Sequence, residues 1–331
     1  MNRLYRPALL LLLLCAALSP SPASSGAAPP ASHGGAPEVA PPAEKCLPVP
    51  PIRMAVVSYW EPDSLNWNLV PDNSLVVINP VSGILKGDTY DALKGDELKK
   101  WVDRAKGLKE RGMTVLAYVP TGAFSHTNCK PKEGECQPVD RIRLQVNTYY
   151  NEFKTKDAKS KAEKLLVDGI FYDEASPNDG APQDYNKEYE LLRSLNKPPQ
   201  SPNTPRMTAF NVGWYSEKAV EATHKGEHLV LYESTPYDYH ESAAEIKAET
   251  QKAWCKGVVV WHLLHSVCDT KDMCRYVKMM AERGASYGYV TNIGGEWKKG
   301  DQTWNILPKF WDDELKVFLT PNKTCDELFK D

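Results

Sequence analysis

The sequence predicts an α/β chain folded as one (β/α)8 barrel of the TIM type, and three observations carry that expectation. From residue 52 onward, short β-branched or aromatic runs alternate with longer amphipathic stretches. Strands separated by helices pair in parallel, because parallel neighbours need a crossover connection. The runs number eight, the count that closes a barrel. The first of them leads into "VVSYWEPDS" (56–64), which lacks the glycine-rich phosphate turn expected after the first strand of an open, doubly wound sheet.

Ahead of the barrel, Arg3 and Arg6 precede the apolar run 8–18 and a cluster of small residues. This is the pattern of a signal peptide over 1–23, with an apolar run too short to span a bilayer. The alternative is an uncleaved anchor or a lipoprotein, although Cys15 follows Leu14 rather than a small residue. Residues 24–51 are rich in Pro, Ala, Gly and Ser. Such a segment buries too little surface to offset its ordering entropy and reads as a linker. Residues 52–331 are then the barrel domain of a secreted protein, extracellular or periplasmic, with no membrane contact once the leader is removed.

The eight strand candidates are "IRMAVVSYW" (52–60), "SLVVINP" (74–80), "TVLAYVP" (114–120), "DGIFYDEA" (168–175), "RMTAFNVG" (206–213), "HLVLYES" (228–234), "KGVVVWHLL" (256–264) and "SYGYVTN" (286–292). Helical patterns cover 96–112, 241–254 and 271–284. In the first of these, Leu98, Trp101, Val102, Ala105 and Leu108 fall on one face and Gly112 supplies the stop.

A net charge of −3 gives no electrostatic case for nucleic acid or an anionic membrane. Nine Trp and sixteen Tyr fit a sugar-facing surface as well as a core. Of eight cysteines, seven follow the leader, in a compartment that permits disulfides. Cys129 with Cys136, and Cys268 with Cys274, each flank a short polar loop and are expected to be local staples. Cys46, Cys255 and Cys325 compete for one further bridge.

In a (β/α)8 barrel, reactive groups collect at the carboxyl ends of the strands. Asp173 and Glu174 close the fourth strand and Glu233 closes the sixth. Tyr59, Asn79, Tyr118, Thr121, Tyr172, Asn211, Trp261, His262, Tyr289 and Asn292 are likewise late in, or just after, their strands. A carboxyl pair at such a rim suits glycosidic cleavage, in which one group protonates the leaving oxygen and the other attacks carbon or activates water. Solvated loop acids or helix caps are the bland alternative. Three carboxylates holding a divalent cation are another. Neither a nucleophile elbow nor a zinc-ligand pattern is present, and no cofactor or metal is expected.

The segments "SLVVINPVSG", "TVLAYVPTGAF", "DGIFYDEAS", "MTAFNVG" and "LVLYES", in that order, resemble the spherulin 4 (spherulation-specific) family of secreted glycoside hydrolases, over about residues 52–292. The resemblance implies a (β/α)8 barrel and endo-hydrolysis of polymers of α-1,4-linked N-acetylgalactosamine or galactosamine. It carries the family's acids onto Asp173, Glu174 and Glu233. Three groove segments depart from the family pattern: "NPVSGIL" after the second strand, "VPTGAF" after the third and "FNVGW" after the fifth.

In an α-linked 2-acetamido sugar the acetamido group lies cis to the leaving group and cannot attack from behind, so the protein must supply the nucleophile or base. Asp173 is the expected nucleophile and Glu233 the acid/base, with Glu174 contacting sugar hydroxyls or the acetamide; the alternative exchanges Asp173 and Glu174, since only one of two successive strand residues aims into the mouth. Tyr59, Tyr118, Tyr172, Trp214 and Trp261 are candidates for stacking on sugar or for packing. His262 either donates to a hydroxyl or is a satisfied buried histidine. A carbohydrate-binding barrel without catalysis is the competing function.

Overall fold

The strands of the barrel are long on Val, Ile, Leu and Ala because both of their faces are covered, by the interior on one side and helices on the other. The computed structural model describes residues 46, 48, 50–86, 90–124, 137–156, 162–176, 184–198, 206–294 and 303–329. The leader, most of the linker and the Cys129–Cys136 loop lie outside them. The strands are β1 (Arg53–Ser58), β2 (Leu75–Ile78), β3 (Thr114–Pro120), β4 (Lys154–Lys156), β5 (Glu163–Leu165), β6 (Gly169–Asp173), β7 (Met207–Asn211), β8 (His228–Ser234), β9 (Val259–Leu264) and β10 (Tyr287–Val290). β4 and β5 form a small antiparallel hairpin that sequence patterning missed. The other eight are the predicted strands. They close a parallel barrel in the order β1-β2-β3-β6-β7-β8-β9-β10 and back to β1.

Helices α1 (Gly95–Glu110), α2 (Val139–Glu152), α3 (Tyr185–Leu195), α4 (Glu217–Ala222), α5 (Pro236–Glu241), α6 (Ala243–Cys255), α7 (Thr270–Arg283), α8 (Trp311–Leu319) and α9 (Cys325–Leu328) complete the element list. α1 buries Trp101, Ala105 and Leu108 on one stripe and carries Asp96 and Glu97 in its first turn, where the helix dipole favours anions. α7 starts at Asp269, whose side chain accepts the Asp272 N–H, and stops at Gly284, which turns left-handed at φ 95°. Among the described residues no helix is long and apolar enough to cross a membrane.

Inside the barrel, alternate residues stack in layers. The lower layer is aromatic. Trp261 donates its indole N–H to His228 Nδ1 at 2.9 Å, packs on Tyr287 and Phe171 at ring distances of 5.4 and 5.9 Å, and Arg53 lies 4.5 Å over the Tyr287 ring. Phe171 passes the stack upward to Tyr118. Above this layer Tyr118 of β3, Asp173 of β6, Asn211 of β7 and Glu233 of β8 meet through hydrogen bonds.

One irregularity decides what reaches that upper layer. Val230 pairs with Trp261, but Tyr232 pairs with His262, so β8 carries an extra residue at Leu231. A bulge of this kind shifts every later side chain to the opposite face. Tyr232 therefore turns outward with His262, and Glu233 turns inward with Leu263.

The disulfides correct one expectation. Cys274 pairs with Cys325, and Cys46 with Cys255; Cys268 is disulfide-bonded, though not to Cys274. A helix that begins at Thr270 carries Cys274 onto its buried face, where it meets Cys325 at the start of α9. Loop spacing alone gives no hint of that direction.

Candidate active site

β6 delivers the first acid. Phe171 and Asp173 face the barrel interior while Tyr172 faces the helices, as strand alternation requires. At Glu174 the backbone turns left-handed, φ 54°. Its N–H donates to the Asp173 carboxylate and its carbonyl accepts the Thr121 hydroxyl at 2.7 Å. Its side chain stands exposed at the rim. The adjacent acids thus separate: one enters the barrel, and the other stays outside while its main chain supports the first.

Asp173 Oδ2 accepts the Tyr118 hydroxyl at 2.6 Å, and Tyr118 is in turn hydrogen-bonded to Tyr59. Asp173 Oδ1 accepts Asn211 Nδ2 at 2.7 Å. The same nitrogen donates to Glu233 Oε2 at 2.5 Å. Two contacts of that length to one atom hold the near oxygens of the two carboxyls no farther apart than their sum. The amide cannot flip, because its Oδ1 accepts the Gly213 N–H at 3.0 Å. The Gly213 carbonyl accepts the Glu233 N–H at 2.8 Å. Glu233 Oε1 takes its second donor from Trp304 Nε1 at 3.0 Å.

Both acids are half-buried at the carboxyl ends of their strands, enclosed by protein on most sides. Burial pushes Glu233 up to about 7, and the charge of Asp173 adds to the rise, against the donations from Asn211 and Trp304. Burial raises Asp173 as well, but three donors oppose it: Tyr118, the Glu174 N–H and Asn211. With three donors against two, the charge settles on Asp173 and the proton on Glu233.

The other predicted residues divide. Asn79 faces the mouth from just after β2, buried, with Oδ1 accepting the Gly83 N–H at 2.8 Å. Asn292 sits at the rim and accepts the Lys309 N–H at 2.7 Å, tying down the segment that carries Trp304. Trp214, next to Gly213, is 41% exposed and packs beside Tyr215 and Tyr232.

Five candidates are not available to a ligand. Tyr172 points away, stacks on Phe210 and donates to the Leu192 carbonyl. Trp261 belongs to the aromatic layer below. Thr121 is buried and spends its hydroxyl on Glu174. Tyr289 is covered by Trp304 and Trp311. His262 faces the helices, fully buried between the Tyr239 hydroxyl at 2.8 Å and the Thr250 hydroxyl at 3.0 Å; burial lowers it to about 3, which keeps it neutral. Trp304 is the residue that sequence reasoning missed. Its only signal was position, after the last strand of a barrel. Among the described residues no group of three or more His, Cys, Asp or Glu could hold a metal ion.

Residues 53–316 match the family described as Spherulation-specific family 4, Spherulin4. A search of curated proteins found no match. Among solved structures, the chain is similar to a GH5-4 broad specificity endoglucanase from Clostridium acetobutylicum, with 12% identity and a TM-score of 0.49, covering 81% of this chain and 97% of that one. It is also similar to GH5_18 from Streptomyces cattleya in complex with GlcNAc, with 8% identity and a TM-score of 0.49, covering 82% of each.

Proposed function

We propose that this chain, which belongs to spherulation-specific family 4, is a secreted endo-acting glycoside hydrolase that cuts an amino-sugar exopolysaccharide of the α-1,4-linked N-acetylgalactosamine or galactosamine type. The observation that carries the reading is the meeting of Asp173 and Glu233 on one Asn211 nitrogen, with the proton driven to Glu233. Asp173 attacks the anomeric carbon. Glu233 gives its proton to the departing glycosidic oxygen, and the C–O bond breaks. Glu233, now ionised, takes a proton from water as that water hydrolyses the glycosyl ester and releases Asp173. Oxygens held this close favour retention, whose carboxyls stand about 5–5.5 Å apart, over inversion, which needs about 6.5–9.5 Å.

Glu174 at the rim and the exposed part of Trp214 are placed to contact sugar. The Cys46–Cys255 and Cys274–Cys325 bridges and the leader pattern support export through an oxidising compartment. The domain reading follows: leader over 1–23, linker over 24–51, barrel from 52.

Incubation with an α-1,4 galactosaminogalactan-type polymer tests the proposal. Asp173→Asn and Glu233→Gln are each expected to lower the release of short oligosaccharides by roughly 10²–10⁴-fold, with thermal unfolding still cooperative. Wild-type rates in both variants would refute it. Binding by the wild type without any product would leave the chain a carbohydrate-binding barrel.

A further inference from the structure

We propose that Trp304 is the positioning residue of the acid/base carboxyl: it anchors Glu233 Oε1 and, together with Asn211 on Oε2, caps both carboxyl oxygens with groups that cannot take the proton Glu233 hands to substrate. The inference rests on the reading of Glu233 as acid/base.

Trp304 is held from several sides. Its carbonyl accepts the Tyr59 N–H from the end of β1 at 2.9 Å. Its ring lies tilted on Tyr289 of β10 at 5.4 Å. Its indole N–H reaches Glu233 of β8 at 3.0 Å, and only 2% of the residue is exposed. The segment after it is pinned by the Lys309 N–H on Asn292. Trp304 thus ties three strand ends together, through its carbonyl and its ring, and its indole N–H meets the carboxyl.

The identity of this donor matters. An indole nitrogen and an amide nitrogen donate and cannot accept. Each Glu233 oxygen therefore has one lone pair filled by a group that can never take the acid's proton. Glu233 is only half-buried, so part of the group stays open to solvent. A hydroxyl, imidazole or second carboxylate in place of Trp304 would offer an acceptor and divert the proton into the protein.

The same N–H also steadies the ionised form that the second half of the reaction requires, working against burial. The titratable groups facing Glu233 are Asp173 from β6 and Tyr59 from the end of β1, with Tyr118 of β3 one hydrogen bond beyond. Both phenols are raised well above 10 and stay neutral throughout.

The test replaces the indole by Phe (Trp304→Phe) and, where that variant fails to fold, by the isostere 3-benzothienylalanine, which keeps the ring volume and lacks the N–H. The pH profile of kcat/KM on the amino-sugar polymer is the readout. The alkaline limb is expected to move upward by about one pH unit, because a donor to the charged form has been lost. With it, kcat falls roughly tenfold or more while KM changes little. A limb at the wild-type position, with rate lost evenly across pH, would reduce Trp304 to packing and overturn the proposal; so would an isostere variant indistinguishable from wild type. Glu233→Gln runs alongside. If it retains full activity, the acid/base reading itself fails; if it is inactive while the Trp304 limb stays unmoved, only the Trp304 role falls.

Discussion

Replacing Asp173 by Asn removes one charge from the pair and leaves the size of the group, and so the burial of Glu233, almost unchanged. The two near oxygens share a nitrogen at 2.7 and 2.5 Å. Unit charges about 5 Å apart at an effective dielectric of about 20 interact by roughly 3 kcal/mol, equivalent to roughly two pH units. Solvent reaching the half-buried pair weakens this, so the Glu233 midpoint is expected to fall from about 7 by about one to two pH units. It should not return to the ordinary glutamate value, because burial is the larger cause of its rise. Because the variant is expected to turn over slowly, the measurement is a carbon-13 NMR titration of side-chain-labelled glutamate, with Glu233 assigned by its loss in Glu233→Gln. A midpoint unchanged by Asp173→Asn would mean the two carboxyls do not share a site. A fall all the way to the ordinary value would mean that burial contributes nothing.

Other outcomes can be checked more simply. Glu233 binds its proton more tightly folded than unfolded, so native stability declines as pH rises from about 4.5 to 7; Glu233→Gln should unfold at a higher temperature than wild type at pH 8, with the advantage shrinking toward pH 4.5. Gly169→Ala would drive a Cβ to 1.8 Å from the Met207 carbonyl oxygen, backbone that cannot move aside, and is expected to cost at least about 2–3 kcal/mol in denaturant unfolding. His262→Ala strands the Tyr239 hydroxyl and leaves Thr250 with the Ile246 carbonyl alone; it should lose about 2–4 kcal/mol while KM for polymer stays unchanged. Replacing Cys274 and Cys325 by Ser opens a bridge spanning 51 residues and should cost about 2–4 kcal/mol; a non-reducing peptide map should recover the Cys274–Cys325 pair.

The eight strands were legible because each is a short apolar run bounded by turn residues, and the pair Asp173 and Glu174 was legible from its place at the end of the fourth strand, although which of the two enters the barrel was not. Glu233 was found for an incomplete reason. Strict alternation from His228 and Val230 would have put Tyr232 inward and Glu233 out; the bulge at Leu231 reverses this, and nothing in "HLVLYES" marks it. Tyr172 and His262 were chosen for lying late in their strands, yet their parity sends them to the helices. Trp261 has the right parity but sits one layer too deep. Thr121 and Tyr289 are near the mouth and already occupied, by a carbonyl and by an indole. Those distinctions depend on partners far away in sequence, which residue type and strand position do not encode. Trp304 comes from a stretch without periodicity, so only its three-dimensional tethers identify it.

The aromatic layer beneath the acids has a consequence for traffic. With Trp261, His228, Phe171, Tyr287 and Arg53 closing the axis, the barrel is a cup with no drain. Whatever enters must leave by the opening it came through. Under the proposed function, a long polymer would drape across the brim, with both of its ends free in solvent and an internal linkage dipping toward the base.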